Sequence, residues 1–190
     1  MIRSRRFRCV TFGSWLMCVA SYALAQPAVV LPAQGSIQVA FTPWDDAESL
    51  LIDAVDQARQ QILMQAYVMT SQKIAASLVA AKMRGVDVRV LADALQHRQT
   101  SSSLLDRLVR AGIPVWLETK YRSAHNKVMV IDANDVDPVV ISGSFNFTWS
   151  AQHRNAENLL LLRGNPALVS QYVLNWERHW RDATSYTAQP

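Results

Sequence analysis

The feature that most constrains this chain is an alternation of short β-rich runs with segments whose apolar residues recur at helical spacing. Ile37 to Phe41 is a β-rich run. Asp45 then offers a helix N-cap, with Glu48 at the third helical position as a capping-box variant. Ala47, Leu50, Leu51, Ala54, Val55 and Ala58 continue at the helical period. Ile62 to Val68 reads as the next strand. Ser71 caps a second helix, which carries Ile74, Leu78 and Val79 on one side and is ended by Gly85. Val86, Val88 and Val90 alternate with Asp87 and Arg89, the pattern of a half-buried strand.

The alternation then recurs. Leu104, Leu105, Leu108 and Val109 form a helix face that Gly112 terminates, and Ile113 to Leu117 is a strand. Lys127 to Asp132 and Val139 to Ser142 are two strands joined by a polar turn, Ala133 to Pro138, and Leu159 to Leu162 is another strand. Asn165-Pro166 is an N-cap followed by proline at the first helical position; the helix it opens buries Leu168, Val169, Tyr172, Val173 and Trp176. Strands alternating with helices and followed by a hairpin predict an α/β fold, a mixed β-sheet sandwiched between helices. The chain shows no internal repeat and no low-complexity segment.

The 190 residues suit one domain. Arg3, Arg5, Arg6 and Arg8 precede a mostly apolar stretch from Cys9 to Ala25 that ends in Ala23-Leu24-Ala25. A basic start, a short apolar region and this small-x-small site predict a signal peptide over residues 1–25, removed on export to the periplasm or the medium. The apolar run is short for a membrane span and contains Ser14 and Ser21. Residues 26–36 read as a linker, 37–182 as the folded domain and 183–190 as a C-terminal tail. The formal charge of +4 comes from 19 basic and 15 acidic side chains, and the four leading arginines leave with the signal. The remainder is near neutral, so affinity for a polyanion has to come from a local patch. Both cysteines leave as well, so the exported chain needs no disulfide and has no thiol chemistry.

The chemistry concentrates in His125-Asn126-Lys127 and, one strand later, Gly143-Ser144-Phe145-Asn146. On a strand from Lys127 to Asp132, side chains alternate between faces, so His125 and Lys127 project together, within reach of one anion. Asp132 falls on the opposite face, which makes it a structural or orienting residue. Gly143 lets backbone approach an anion closely, and the Ser144 hydroxyl and Asn146 amide are neutral donors for phosphoryl oxygens. The set contains a nucleophile or base, a fixed cation and donors. It has no carboxylate cluster or Cys/His set for a metal, which suits phosphoryl transfer with lysine as the charge-neutralising cation and no cofactor.

These residues resemble the phospholipase D superfamily, whose signature is HxKxxxxD followed by GSxN; the matches are His125, Lys127 and Asp132, then Gly143, Ser144 and Asn146. The resemblance is strongest to the short, exported bacterial endonuclease branch. It is carried further by Met64-Gln65-Ala66-Tyr67, by Ala80 to Val88, by Gly112-Ile113-Pro114 and by Ser144 to Thr148. It covers about Ile37 to Arg181, which makes residues 37–182 the catalytic domain. One departure is the spacing: ten residues separate Asp132 from Gly143, more than the usual pattern, and the extra length falls in the polar turn.

The resemblance implies attack by His125 on phosphorus to give a phosphohistidine, with a second histidine protonating the departing oxygen and then activating water. Lys127, Asn146 and Ser144 would hold the nonbridging oxygens, and Glu157 matches the carboxylate that orients the nucleophilic histidine. The chain holds one motif where the mechanism needs two histidines, so the expected assembly is a homodimer sharing its site across the two-fold axis. The expected activity is metal-independent hydrolysis of nucleic-acid phosphodiesters, DNA or RNA. Two alternatives stand beside it: a phospholipase D-type hydrolase of membrane-lipid headgroups, and a catalytically idle nucleic-acid-binding protein. His97, His153 and His179 read as surface or helix-cap residues, and Trp176 and Trp180 as core or dimer packing. Trp149 is a candidate for the substrate groove, and Arg98 in the polar loop Gln96 to Ser103 for contact with a nucleic-acid backbone.

Overall fold

A computed structural model describes residues 27–188. The expected signal peptide, residues 1–25, lies outside the described residues. The elements run β1 (Ser36–Thr42), α1 (Ala47–Asp56), β2 (Gln61–Ala66), α2 (Gln72–Met83), β3 (Asp87–Asp93), α3 (Ala94–Gln99), α4 (Leu105–Arg110), β4 (Val115–Glu118), β5 (Lys127–Ile131), β6 (Val139–Gly143), α5 (Trp149–His153), β7 (Glu157–Arg163), α6 (Pro166–Arg181) and β8 (Thr184–Tyr186).

All eight strands form one sheet in the order β1-β7-β6-β5-β2-β3-β4-β8. β2, β3 and β4 pair in parallel through the α2 and α3–α4 crossovers, and the other neighbours are antiparallel. Each face buries its own apolar layer. On one, Leu51, Val55, Ile74, Leu78, Leu105 and Leu108 from α1, α2 and α4 meet Ile62, Met64, Val88 and Met129 of the sheet. On the other, Val169 and Trp176 of α6 meet Leu63, Leu91, Val128, Val130 and Val140. The Trp176 indole also donates from Nε1 to the Met64 carbonyl at 3.1 Å, so the polar tip of the largest buried ring is satisfied. The mixed sheet between helices is the architecture the alternation predicts.

Four local expectations are corrected. Asp46, not Asp45, caps α1, its Oδ1 accepting the Ser49 N–H at 3.0 Å. Asp45 turns back to accept the Phe41 N–H at 2.8 Å. Glu48 closes no capping box. It is buried and accepts the Ser71 hydroxyl at 2.6 Å, joining α1 to the start of α2. The expected C-terminal tail contains β8, which pairs with β4 and is anchored by Tyr186: its O–H donates to Asp106 Oδ1 at 2.5 Å. The His97 ring bridges Tyr186 Oη (3.0 Å) and Ser103 Oγ (2.8 Å), which takes His97 off the surface and into a polar network.

Antiparallel alternation of β2, β5, β6 and β7 sets the site. Ala66 pairs with Lys127, Val128 with Ser142 and Gly143 with Leu159. The end of β2, the start of β5, the end of β6 and the start of β7 therefore share one edge of the sheet. Asp132 lies past the other end of β5, with φ of 51°. Its buried carboxylate accepts three backbone N–H groups, from Arg59 (2.8 Å), Gln60 (2.7 Å) and Gln61 (2.9 Å), and so fixes the α1–β2 turn against β5. Asp132→Ala strands these donors and is expected to cost about 2–4 kcal/mol of stability, read by urea unfolding. A loss under about 0.5 kcal/mol would refute this role.

Candidate active site

The His125 side chain stands exposed at the sheet edge while Lys127, two residues on, is 6% exposed. Lys127 Nζ lies 2.9 Å from His125 Nδ1 and donates to the His125 carbonyl, also at 2.9 Å. Tyr67, just past β2, packs its ring 4.1 Å from the His125 ring and under the ammonium, 4.6 Å from centroid to Nζ. Its backbone N–H donates to the Asn126 carbonyl at 3.0 Å. Tyr67 is thus a site residue to which the sequence assigns no role.

Burial pulls Lys127 down from the ordinary lysine range to about 8, against the opposing pull of the Glu157 carboxylate. His125 is held below the usual imidazole value by partial desolvation and then by the Lys127 charge, while Asp93 works the other way. The second shift favours a neutral imidazole, and the first weakens an ammonium that an anionic ligand would re-stabilise.

The second half of the motif is held on the adjacent strands. Ser144 and Phe145 donate their N–H groups to the Asn158 carbonyl at 3.1 and 3.3 Å. Asn158 returns its backbone N–H (3.0 Å) and its side-chain Nδ2 (3.3 Å) to Ser144 Oγ. The Ser144 oxygen is therefore occupied as an acceptor and its O–H remains free to donate. Gly143 has φ of 151°, and a Cβ there would meet the Asn158 oxygen at 2.3 Å, so the close β6–β7 approach requires glycine. Phe145 and Phe147 are buried anchors on either side of Asn146, whose Oδ1 is buried with no hydrogen-bond partner among the described residues. The Phe147 carbonyl accepts the Thr70 and Ser71 N–H groups, at 3.0 and 2.9 Å. The two motif halves thus meet across residues 67–71, with Tyr67 on the His125 side and Met69 to Ser71 on the Asn146 side.

Glu157 opens β7 beside this group. Its Oε1 accepts Asn155 Nδ2 at 2.9 Å, and its charge acts on Lys127. Within one chain it makes no hydrogen bond to His125, whose Nδ1 faces Lys127 instead. The other histidines are engaged elsewhere: His97 in the Tyr186 network, His153 against the Trp149 ring at 4.7 Å, and His179 in a hydrogen bond to Glu118. Trp149 is half exposed, with the Arg154 guanidinium 5.0 Å over its ring. Trp176 is core, stacked 6.1 Å from Trp180. Arg98 is exposed on α3, where a polar loop was expected. Among the described residues no three His, Cys, Asp or Glu side chains converge as a metal cradle.

A buried lysine beside an exposed histidine, with neutral donors on the next strand, has the chemistry to bind and attack a phosphoryl group. Comparison with known proteins carries this to a family. The family model described as "Cardiolipin synthase, PLD-like domain" matches residues 51–180. A phospholipase D of Rickettsia prowazekii (strain Madrid E) is 39% identical over 144 residues, covering 76% of this chain and 67% of that protein. The human mitochondrial cardiolipin hydrolase is 27% identical, over the whole of this chain and 75% of its own. Among solved structures, the phospholipase D family member Nuc from Salmonella typhimurium superposes with a TM-score of 0.75 at 33% identity, covering 81% of this chain and 99% of Nuc. NucT from Helicobacter pylori, 20% identical, shares the fold with a TM-score of 0.72. The chain belongs to the phospholipase D superfamily of phosphodiesterases.

A phosphodiester is an anion, so Lys127 has to be protonated to hold it. With Lys127 near 8, kcat/KM on a diester whose leaving group needs no protonation, such as bis(p-nitrophenyl) phosphate, is expected to fall as pH rises through about 8. A plateau reaching the ordinary lysine range would contradict this assignment.

Proposed function

We propose that this protein is an exported, metal-independent phosphodiesterase that cleaves nucleic acid through a phosphohistidine on His125, working as a homodimer. The observation that carries the reading is the pairing of an accessible imidazole with the buried ammonium of Lys127. In the first step His125 Nε2 forms a bond to phosphorus as the P–O bond to the leaving group breaks. A protonated His125 of the second copy gives its proton to the departing oxygen. In the second step that imidazole takes a proton from water, whose oxygen attacks phosphorus and releases His125. Lys127, Ser144 and Asn146 hold the nonbridging oxygens through both steps.

For Nε2 to attack, the imidazole proton sits on Nδ1. A substrate phosphate that draws the Lys127 ammonium to itself frees Nδ1 from its 2.9 Å contact, and Glu157 is the nearby carboxylate to receive that N–H. Glu157 then orients the ring once substrate is present.

The dimer has support on the surface. Ile37, Val39 and Phe41 of edge strand β1 are 61%, 50% and 51% exposed on the sheet face opposite the one that buries Ala40 and Thr42. An edge strand with such a strip attracts a partner. The strip runs into the site, because Phe41 pairs with Asn158 and Thr42 with Glu157. A second copy is the occupant that also supplies the missing histidine. Nucleic acid is favoured by the half-exposed Trp149 with Arg154 over its ring, a face for a base and a charge for a phosphate beside the GSxN segment. Lipid headgroups are the competing substrate, suggested by relatives named phospholipase D.

The test assays the protein on plasmid DNA, RNA and phosphatidylcholine, all with EDTA. Nucleic-acid cleavage is expected to survive the chelator and to drop roughly 10³-fold or more in His125→Ala. Cleavage of phosphatidylcholine alone, or activity lost to EDTA and restored by a divalent ion, would overturn the proposal. Phe41→Glu is expected to give a folded, inactive monomer by sedimentation; an active monomer would remove the shared site.

A further inference from the structure

Behind His125 lies a buried polar cluster with no part in holding phosphate. Asp93 ends β3 and Glu118 ends β4; the two are register partners on adjacent parallel strands, 2% and 3% exposed. Asp93 is fully used. Its Oδ1 accepts the Gln96 N–H and its Oδ2 the N–H of Ala124, each at 2.7 Å, and Ala124 immediately precedes His125. Glu118 is hydrogen-bonded by the Nδ1 of His179, which reaches in from the last turn of α6. The His179 ring is in turn covered by Tyr121 at 5.0 Å, and Lys120 pairs with Asp182 at 2.6 Å. Residues 118–124, the segment that delivers His125, are therefore fastened to α6 at one end and to Asp93 at the other.

Two buried carboxylates on neighbouring strands tend to share a proton rather than both ionise. His179 hydrogen-bonds this pair from the Glu118 side. We infer that Asp93, packed beside the Glu118–His179 pair, is a positioning residue for His125, fixing it through the Ala124 amide with its carboxylate behind the ring. The inference rests on His125 being the reacting group.

The charged and titratable groups facing His125 are Lys127 on its own strand, Tyr67 after β2, Asp93 of β3 and, through Lys127, Glu157 of β7. Those around His179 are Glu118 of β4, Tyr121 and the Lys120–Asp182 pair, with Arg178 and Arg181 beside it on α6. Burial pushes the Glu118 carboxyl up; His179 opposes that and Asp93 adds to it. The Asp93 charge raises the His125 imidazole, opposing its desolvation.

The test follows the His125 imidazole by NMR titration in the full chain. Asp93→Asn is expected to lower its pKa by about half a unit to one unit, because the carboxylate no longer stabilises the imidazolium. A merely structural loosening would let water in and move it up, towards the ordinary value. His179→Gln is expected to lower kcat about tenfold on bis(p-nitrophenyl) phosphate with little change in KM. The double variant Glu118→Gln/His179→Gln, a neutral amide pair in the same space, should recover most of that loss. A His125 titration unchanged or raised in Asp93→Asn, or a double variant no better than His179→Gln, overturns the inference. If Asp93→Asn does not fold, the comparison of single and double variants decides. The titration needs no turnover, so a wild type that cleaves no phosphodiester would sink the proposed function and still leave this inference decided.

Discussion

A lysine ammonium has to stay charged at the edge of a buried sheet, and the site is arranged around that requirement. Lys127 is almost wholly removed from water, and its contacts are a backbone carbonyl, an imidazole nitrogen and the face of Tyr67. None of these is an anion. The nearest compensating charge is Glu157, which is engaged with Asn155. The ammonium is thus incompletely compensated, as its depressed pKa records. An arriving phosphodiester supplies the missing counter-charge inside a region of low dielectric, where it counts for more than on the surface. Selectivity for an anion follows from what the protein withholds from Lys127 as much as from what it provides.

That arrangement depends on strand parity. Because β2, β5, β6 and β7 run antiparallel to their neighbours, the chain returns to the same edge each time it presents a functional group. Asp132 closes the opposite end of β5 on three backbone N–H groups, so the strand that carries His125 and Lys127 is clamped at its far terminus. The longer β5–β6 turn lies at that far end as well. Extra residues there lengthen the hairpin away from the chemistry.

Much of this is legible in the sequence, for a physical reason. Periods of two and 3.6 residues report which face is buried, and the mixed sheet between helices follows from them. The same alternation turns Asp132 away from Lys127. What escapes is chosen by partners far along the chain. Asp45 and Asp46 are locally equivalent caps, and the Phe41 N–H decides between them. β8 has three residues and no period of its own, and it forms because Tyr186 reaches Asp106 and His97. The helices α3 and α5 are too short to show a period. Asp93 and Glu118 look like solvent-facing acids at strand ends; Ala124 and His179, which bury them, are 31 and 61 residues away. Tyr67 sits in a quoted motif, yet only the fold brings its ring to both His125 and Lys127.

The proposed pairing of two copies raises a question that one chain cannot pose. The proposed chemistry asks one His125 to be neutral and its twin to be charged, although symmetry gives both the same surroundings. Like charges at close range resolve this in part, since a first imidazolium disfavours a second and the pair holds one proton over a span of pH. The substrate does the rest. A diester has one leaving oxygen, and its approach places that oxygen near one ring and phosphorus near the other. In the proposed dimer the Asp93 carboxylate behind each ring would favour the imidazolium, while each Lys127 would oppose it. Opposed influences, one from β3 and one from β5, would then let the proton follow the substrate.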